Sequence, residues 1–209
     1  MTPIVYVHGL WMPGDESLML GRRLAQEFDL TLYSFRYSAA FASMRGTTER
    51  LAAFVEELHV PEVHLVGHSL GGLIVRYALA ASTALSSQTS GAVTIASPHR
   101  GVSLARIAPG RCAQIMHRGP GSILPEADAA RQIRWLAYYS DGDRVVPPAS
   151  ARLDDPRYGA TNLLIPGCGH LTICRDVRLI QSLVPELIRT ETFAGLTAPA
   201  DAGREPAAA

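Results

Sequence analysis

The sequence predicts an α/β protein: a three-layer α/β/α sandwich around a mostly parallel central sheet of about six strands. Three observations carry this. Short apolar runs rich in β-branched residues recur along the chain. Stretches with helical spacing separate them. The first run is continuously apolar rather than alternating, as a strand covered on both faces is.

Ile4–Val7 is such a run, and it ends at His8-Gly9. From Asp15 to Phe28, Leu18, Leu20, Leu24, Ala25 and Phe28 suit a helix with an acidic first turn. Leu30 to Tyr37 alternates and reads as a second strand. Thr47 to Leu58 has helical spacing at Leu51, Phe54, Val55 and Leu58; Thr47, Thr48 and Glu49 supply polar groups for its start, and Pro61 follows it. Val63–Val66 is a third strand, and Leu73 to Ala81 a helix interrupted only by Arg76. Ala92–Ala96, Ile133–Tyr139 and Asn162–Ile165 are the last three strands. Asp176 to Ile188 closes as a helix, with Val177, Ile180, Leu183, Val184 and Leu187 on one face. Residues 1–190 read as one domain, and the Ala/Pro/Gly-rich 191–209 as a disordered tail.

Composition narrows the function. Charges balance to a formal net of +0, with no basic stripe for nucleic acid and no polybasic run for a membrane surface. Apolar runs fall well short of the ~20 residues of a spanning helix, and Met1 leads almost at once into a strand, so a cytoplasmic protein is expected. Every basic residue is Arg, so acid/base work falls to His, carboxylates, Ser and Cys. Cys112, Cys168 and Cys174 make no disulfide framework, although Cys168 and Cys174 are close enough in sequence to pair in an oxidising compartment. They flank His170 without the paired spacing of a metal site; no metal or cofactor is expected.

The strongest signal is Gly67-His68-Ser69-Leu70-Gly71, followed by Gly72. It fits G-x-S-x-G and sits directly after a buried strand and before a helix. A serine in that sharp turn is pushed clear of the sheet, and glycines beside it let neighbouring backbone approach. The helix that follows aims free N–H groups at the place where negative charge would form. As a bare five-residue pattern, the same stretch also describes a tight turn with a capping Ser.

Here the chain resembles the α/β-hydrolase superfamily, in particular its small, lid-poor esterases and lipases. The resemblance spans about Ile4 to Ile188. His8-Gly9-Leu10-Trp11 follows the first strand as the H-G-x motif does in that superfamily, which implies an oxyanion hole from the backbone N–H groups of Leu10 and Leu70. Ala96-Ser97-Pro98-His99-Arg100-Gly101 looks like the segment after the next strand in lipases.

A serine hydroxyl needs a neighbouring base, and seven histidines compete. His8 and His68 flank the glycines and read as hydrogen-bonded neighbours; His64 reads as an interior strand residue, and His59 as the end of a helix. His117 has no context. His170, in the glycine-rich turn after the last strand, is preferred, with His99 the competitor. The superfamily order of Ser, acid, His favours His170. For the acid, Tyr138 to Pro147 holds Asp141 and Asp143; the superfamily pattern G-x-x-D-x-x-V-P aligns with Asp143, while Asp141 before Gly142 suits a turn-fixing role. Asp154 and Asp155 read as solvated turn acids.

The catalytic set is therefore expected to be Ser69, Asp143 and His170, with Trp11 and His99 as substrate-contacting residues. Trp11 and Met12 serve equally well as core or rim. The irregular stretch 98–130 is expected to form part of the substrate wall and is short for a separate lid domain. The expected substrate is a small ester of short to medium acyl length, with thioesters or amides open to the same chemistry. A catalytically silent binding module would need a missing triad member. A nucleotide-binding protein would need a phosphate-cradling turn after the first strand, and Pro3 to Gly14 has none.

Overall fold

The structure is a computed structural model and describes residues 2–10, 16–38, 43–102, 116 and 133–196. Six strands form one sheet in the order β2-β1-β3-β4-β5-β6. They are β1 (Ile4–Val7), β2 (Leu32–Phe35), β3 (Val63–His68), β4 (Thr89–Ile95), β5 (Arg134–Tyr139) and β6 (Thr161–Leu164). Every pairing is parallel, so all strand C-termini emerge on one edge. The order reverses at β1, which lies between β2 and β3, and such a switch point opens a crevice at the carboxyl edge.

Alternate strand residues face opposite layers. Val5, Val7, Leu65, Ala92, Trp135 and Ala137 pack on one side with Leu51, Val55, Leu73, Ile74 and Leu79. Those partners belong to α2 (Met44–Glu57) and α3 (Leu70–Ala81). Ile4, Tyr6, Val66, Val93, Ile95, Leu136 and Tyr138 face the other layer, with Leu20, Leu24, Ile180, Leu183 and Leu187. Those come from α1 (Glu16–Phe28) and the last helix, α6 (Val177–Leu196). The described residues also form two short helices, α4 (Thr83–Ser87) and α5 (Pro148–Ala151).

Several boundaries differ from expectation, each for a local reason. Helix α2 starts at Met44, because the Ser43 hydroxyl accepts from Gly46 N–H at 3.1 Å and caps it ahead of Thr47. Ser82 caps α4 in the same way, accepting from Leu85 N–H at 3.1 Å. In α6 the buried stripe is Leu179, Ile180, Leu183, Val184 and Leu187, while Val177 is exposed. Leu179 replaces Val177 because positions i, i+1, i+4, i+5 and i+8 make one continuous stripe. The helix runs on to Leu196, past the boundary expected at 190; residues 197–209 lie outside the described ones.

Candidate active site

Strand β3 delivers His68 to the carboxyl edge, and the chain turns at once into α3. Ser69 occupies that turn with φ 53° and ψ −121°. A non-glycine residue in that conformation is strained, and surrounding contacts must hold it there. Ser69 N–H donates to the carbonyl of Ile95 at 2.9 Å, which ties the turn to the end of β4. Ala96, the residue just after β4, also has positive φ, 49°, and its N–H donates to the Tyr138 carbonyl at 2.8 Å. Two strained residues thus sit side by side, and only the first was legible in the sequence.

The flanking glycines are there for space. A Cβ on Gly67 would lie 2.5 Å from the backbone of Gly71 and Gly72. One on Gly71 would collide with the carbonyl oxygen of Val7. Close packing of the turn against the end of β1 therefore excludes any side chain at Gly71.

The turn after β5 supplies the carboxylate. Asp143 Oδ1 accepts from Val145 N–H at 2.8 Å and from Val146 N–H at 2.9 Å. These bonds fold the loop around the carboxylate and leave Oδ2 facing His170. Ser140 and Asp141 then lace this turn to the one after β6. The Ser140 hydroxyl accepts from Gly142 N–H at 3.2 Å and Cys168 N–H at 2.9 Å, and Asp141 accepts from Gly167 N–H at 2.6 Å. Asp141 does fix a turn, but the one that presents His170 rather than its own.

The histidine imidazole closes the line. His170 Nδ1–H donates to Asp143 Oδ2 at 2.7 Å, and the Ser69 hydroxyl donates to His170 Nε2 at 3.0 Å. His68 Nε2–H donates to the His170 carbonyl at 2.9 Å and steadies its backbone. The Asp143 side chain is 1% exposed and that of His170 11%. Burial alone would raise the Asp143 carboxyl. The hydrogen bonds from His170, Val146 and Val145, with the charge of His170, outweigh it and hold the group below its ordinary value. Burial, reinforced by the charge of His170, drops His68 to about 3, so His68 stays neutral beside the site.

The structure therefore brings together Ser69, His170 and Asp143. Leu10 follows β1, Leu70 opens α3, and β1 pairs directly with β3, so both turns leave neighbouring strand ends. His8 braces the first turn: its ring stacks on Tyr37 at 4.2 Å, and the Tyr37 hydroxyl donates to the His8 carbonyl at 2.8 Å. Trp11, Met12 and His117 lie outside the described residues, as does most of 98–130.

His99 is not at the site. It is 3% exposed, its Nδ1 accepts from Arg76 at 3.1 Å, and its Nε2–H donates to Thr94 Oγ1 at 3.0 Å. Both ring nitrogens are taken by protein, so the expected substrate contact is corrected. Burial, and then the charge of Arg76, pull it well below its ordinary value. Arg76 itself is 2% exposed, with its guanidinium 4.5 Å over the Tyr158 ring. Nothing in the sequence flagged Arg76 beyond its being the one polar break in an apolar helix. Cys168 and Cys174 are not joined in a disulfide; Cys168 donates to Asp176 at 3.1 Å.

Comparison with known proteins sharpens the class. Solved structures share the architecture over nearly the whole chain. The ydeN gene product from B. subtilis matches with TM-score 0.70 and 12% identity, over 90% of this chain and 100% of that one. Bacillus licheniformis lipase BlEst2 matches with TM-score 0.72 and 20% identity, over 89% and 91%. A Paleococcus ferrophilus monoacylglycerol lipase matches with TM-score 0.63 and 18% identity, over 90% and 96%. These likenesses show the fold, that of an α/β-hydrolase. The chain belongs to the family described as "Putative serine esterase (DUF676)", whose model matches residues 3–110, just over half of the 209 residues. None of the curated proteins matches it in sequence.

Proposed function

We propose that the chain hydrolyses carboxylic esters of short to medium acyl length through an acyl-enzyme on Ser69. The observation that carries this is the continuous line from Ser69 Oγ through the His170 ring to Asp143, at 3.0 and 2.7 Å. Ser69 Oγ attacks the ester carbonyl while His170 Nε2 takes its proton. Asp143 holds the Nδ1–H tautomer and stabilises the imidazolium. The N–H groups of Leu10 and Leu70 receive the oxyanion; Ser69's own N–H is already engaged by Ile95. His170 returns the proton to the departing alcohol, and water then repeats the sequence to release the acid.

Family membership supports the ester class, and the modest length of 98–130 supports short to medium acyl groups, since it leaves little chain for a lid domain. No described helix is long and apolar enough to cross a membrane. The test is fluorophosphonate labelling mapped by mass. A single adduct on Ser69, lost in Ser69→Ala, is expected; folded protein that takes no label refutes the proposal. p-Nitrophenyl esters of graded acyl length should show turnover falling off at long chains. A thioester and an anilide alongside them assign the scissile bond.

A further inference from the structure

A cavity of about 440 Å³ opens between the loop after β4 and the loop after β5. Arg100, Gly101 and Val102 line it from one side, and Arg144, Val145, Pro147, Ala149 and Ser150 from the other. That volume is ligand-sized. The described lining contains two arginines and neither Asp nor Glu.

The two loops are laced into one piece. Ser150 Oγ–H donates to the Gly101 carbonyl at 2.6 Å, and Arg100 N–H donates to Ser150 at 3.3 Å. The wall is also continuous with the site: Arg144 follows Asp143, and Val145 N–H donates to the Asp143 carboxylate. A group held here lies against the loop that carries the carboxylate of the Ser69–His170–Asp143 line.

The charges at the rim are under-neutralised. Arg100 reaches Asp154 only at 3.6 Å, and that carboxylate is already engaged by Arg152 at 3.0 Å and Asn162 at 3.3 Å. Among the described residues no carboxylate pairs with Arg144. A lining that joins apolar Val102, Pro147 and Ala149 with two arginines suits a short chain ending in a carboxylate or phosphate.

We infer that this cavity is a subsite for an anionic group carried by the substrate, gripped by Arg144 and Arg100. The inference rests on the esterase reading for its place in the reaction, but binding tests it separately. The measurement compares kcat/KM for the p-nitrophenyl monoester of glutaric acid with that for p-nitrophenyl pentanoate, which has the same chain length without the charge. The charged-to-neutral ratio should fall about tenfold in Arg144→Gln, through KM rather than kcat, and less in Arg144→Lys, which keeps the charge but loses the fork. High salt should lower the ratio in the unmodified protein. Arg100→Gln should move it the same way.

A ratio within about twofold of the unmodified protein's in both glutamine variants overturns the subsite. Calorimetric titration with glutarate, one to one and weakened in Arg144→Gln, reads the subsite without turnover; no heat on glutarate or inorganic phosphate also overturns it. Tighter binding of inorganic phosphate than of glutarate would assign the anion as phosphate. Absence of any ester turnover, with Ser69 unlabelled by fluorophosphonate, removes the esterase reading, while the titration still decides the cavity.

Discussion

His99→Ala should cost the protein stability and leave its chemistry in place. The ring accepts from Arg76 and donates to Thr94, all three buried. Truncation orphans a guanidinium N–H and a threonine hydroxyl and leaves a ring-sized void. A hydrogen bond to a charged group contributes about 1.5–3 kcal/mol, and the void and the orphaned hydroxyl add roughly 1–2 more. The net loss is about 2.5–5 kcal/mol; at ~2–4 °C per kcal/mol for a chain of this size, the midpoint should fall by about 5–20 °C. Thermal unfolding by circular dichroism near neutral pH measures that shift. Fluorophosphonate labelling of Ser69, well below the midpoint, should proceed as in the unmodified protein. A variant with an unchanged midpoint and no labelling would refute the reasoning and put His99 back among the reacting groups.

Asp143→Asn should lower kcat by about 10⁴ with little change in KM, because the amide can keep accepting from Val145 and Val146 while turning its NH₂ toward His170 and favouring the wrong tautomer; steady-state ester kinetics measure it. Gly71→Ala should give little folded protein, since its Cβ meets the Val7 carbonyl, whereas Gly159→Ala meets open space and should cost only its backbone strain; soluble yield and unfolding midpoints compare them. Ser140→Ala should lower kcat several-fold by releasing Gly142 and Cys168 N–H groups that register the Asp143 loop against the His170 loop; Ser140→Thr should restore part of it. Acid should destabilise the fold through His68. Its folded value of about 3 lies below the ordinary 6.5, so the unfolded chain binds the proton first; stability is full above 6.5 and drains as pH falls toward 3. Denaturant midpoints that stay flat across that window would contradict the assignment.

The architecture and the nucleophile were legible in the chain. Apolar runs such as Ile4–Val7 and helical spacing such as Leu51, Val55 and Leu58 are local patterns, and each specifies its own element. Ser69 was legible because a strand–turn–helix corner is also local: the strain at Ser69 and the exclusion of a Cβ at Gly67 and Gly71 arise within a few residues or against the adjoining strand. Helix starts were less legible, because one hydroxyl, Ser43, decided where α2 begins.

Tertiary structure decided the partners. Asp141 and Asp143 look alike in sequence; they separate only because Val145 and Val146 wrap one carboxylate toward His170 while Gly167 takes the other. His99 and His170 both follow strand ends. The fold buries the first between Arg76 and Thr94 and brings the second to Ser69, 101 residues away in the chain. The cavity between Arg100 and Arg144 is the same kind of fact, assembled from loops after different strands. Hydrogen bonds between distant segments form only once the sheet order is set, and no run of neighbouring residues encodes them by itself.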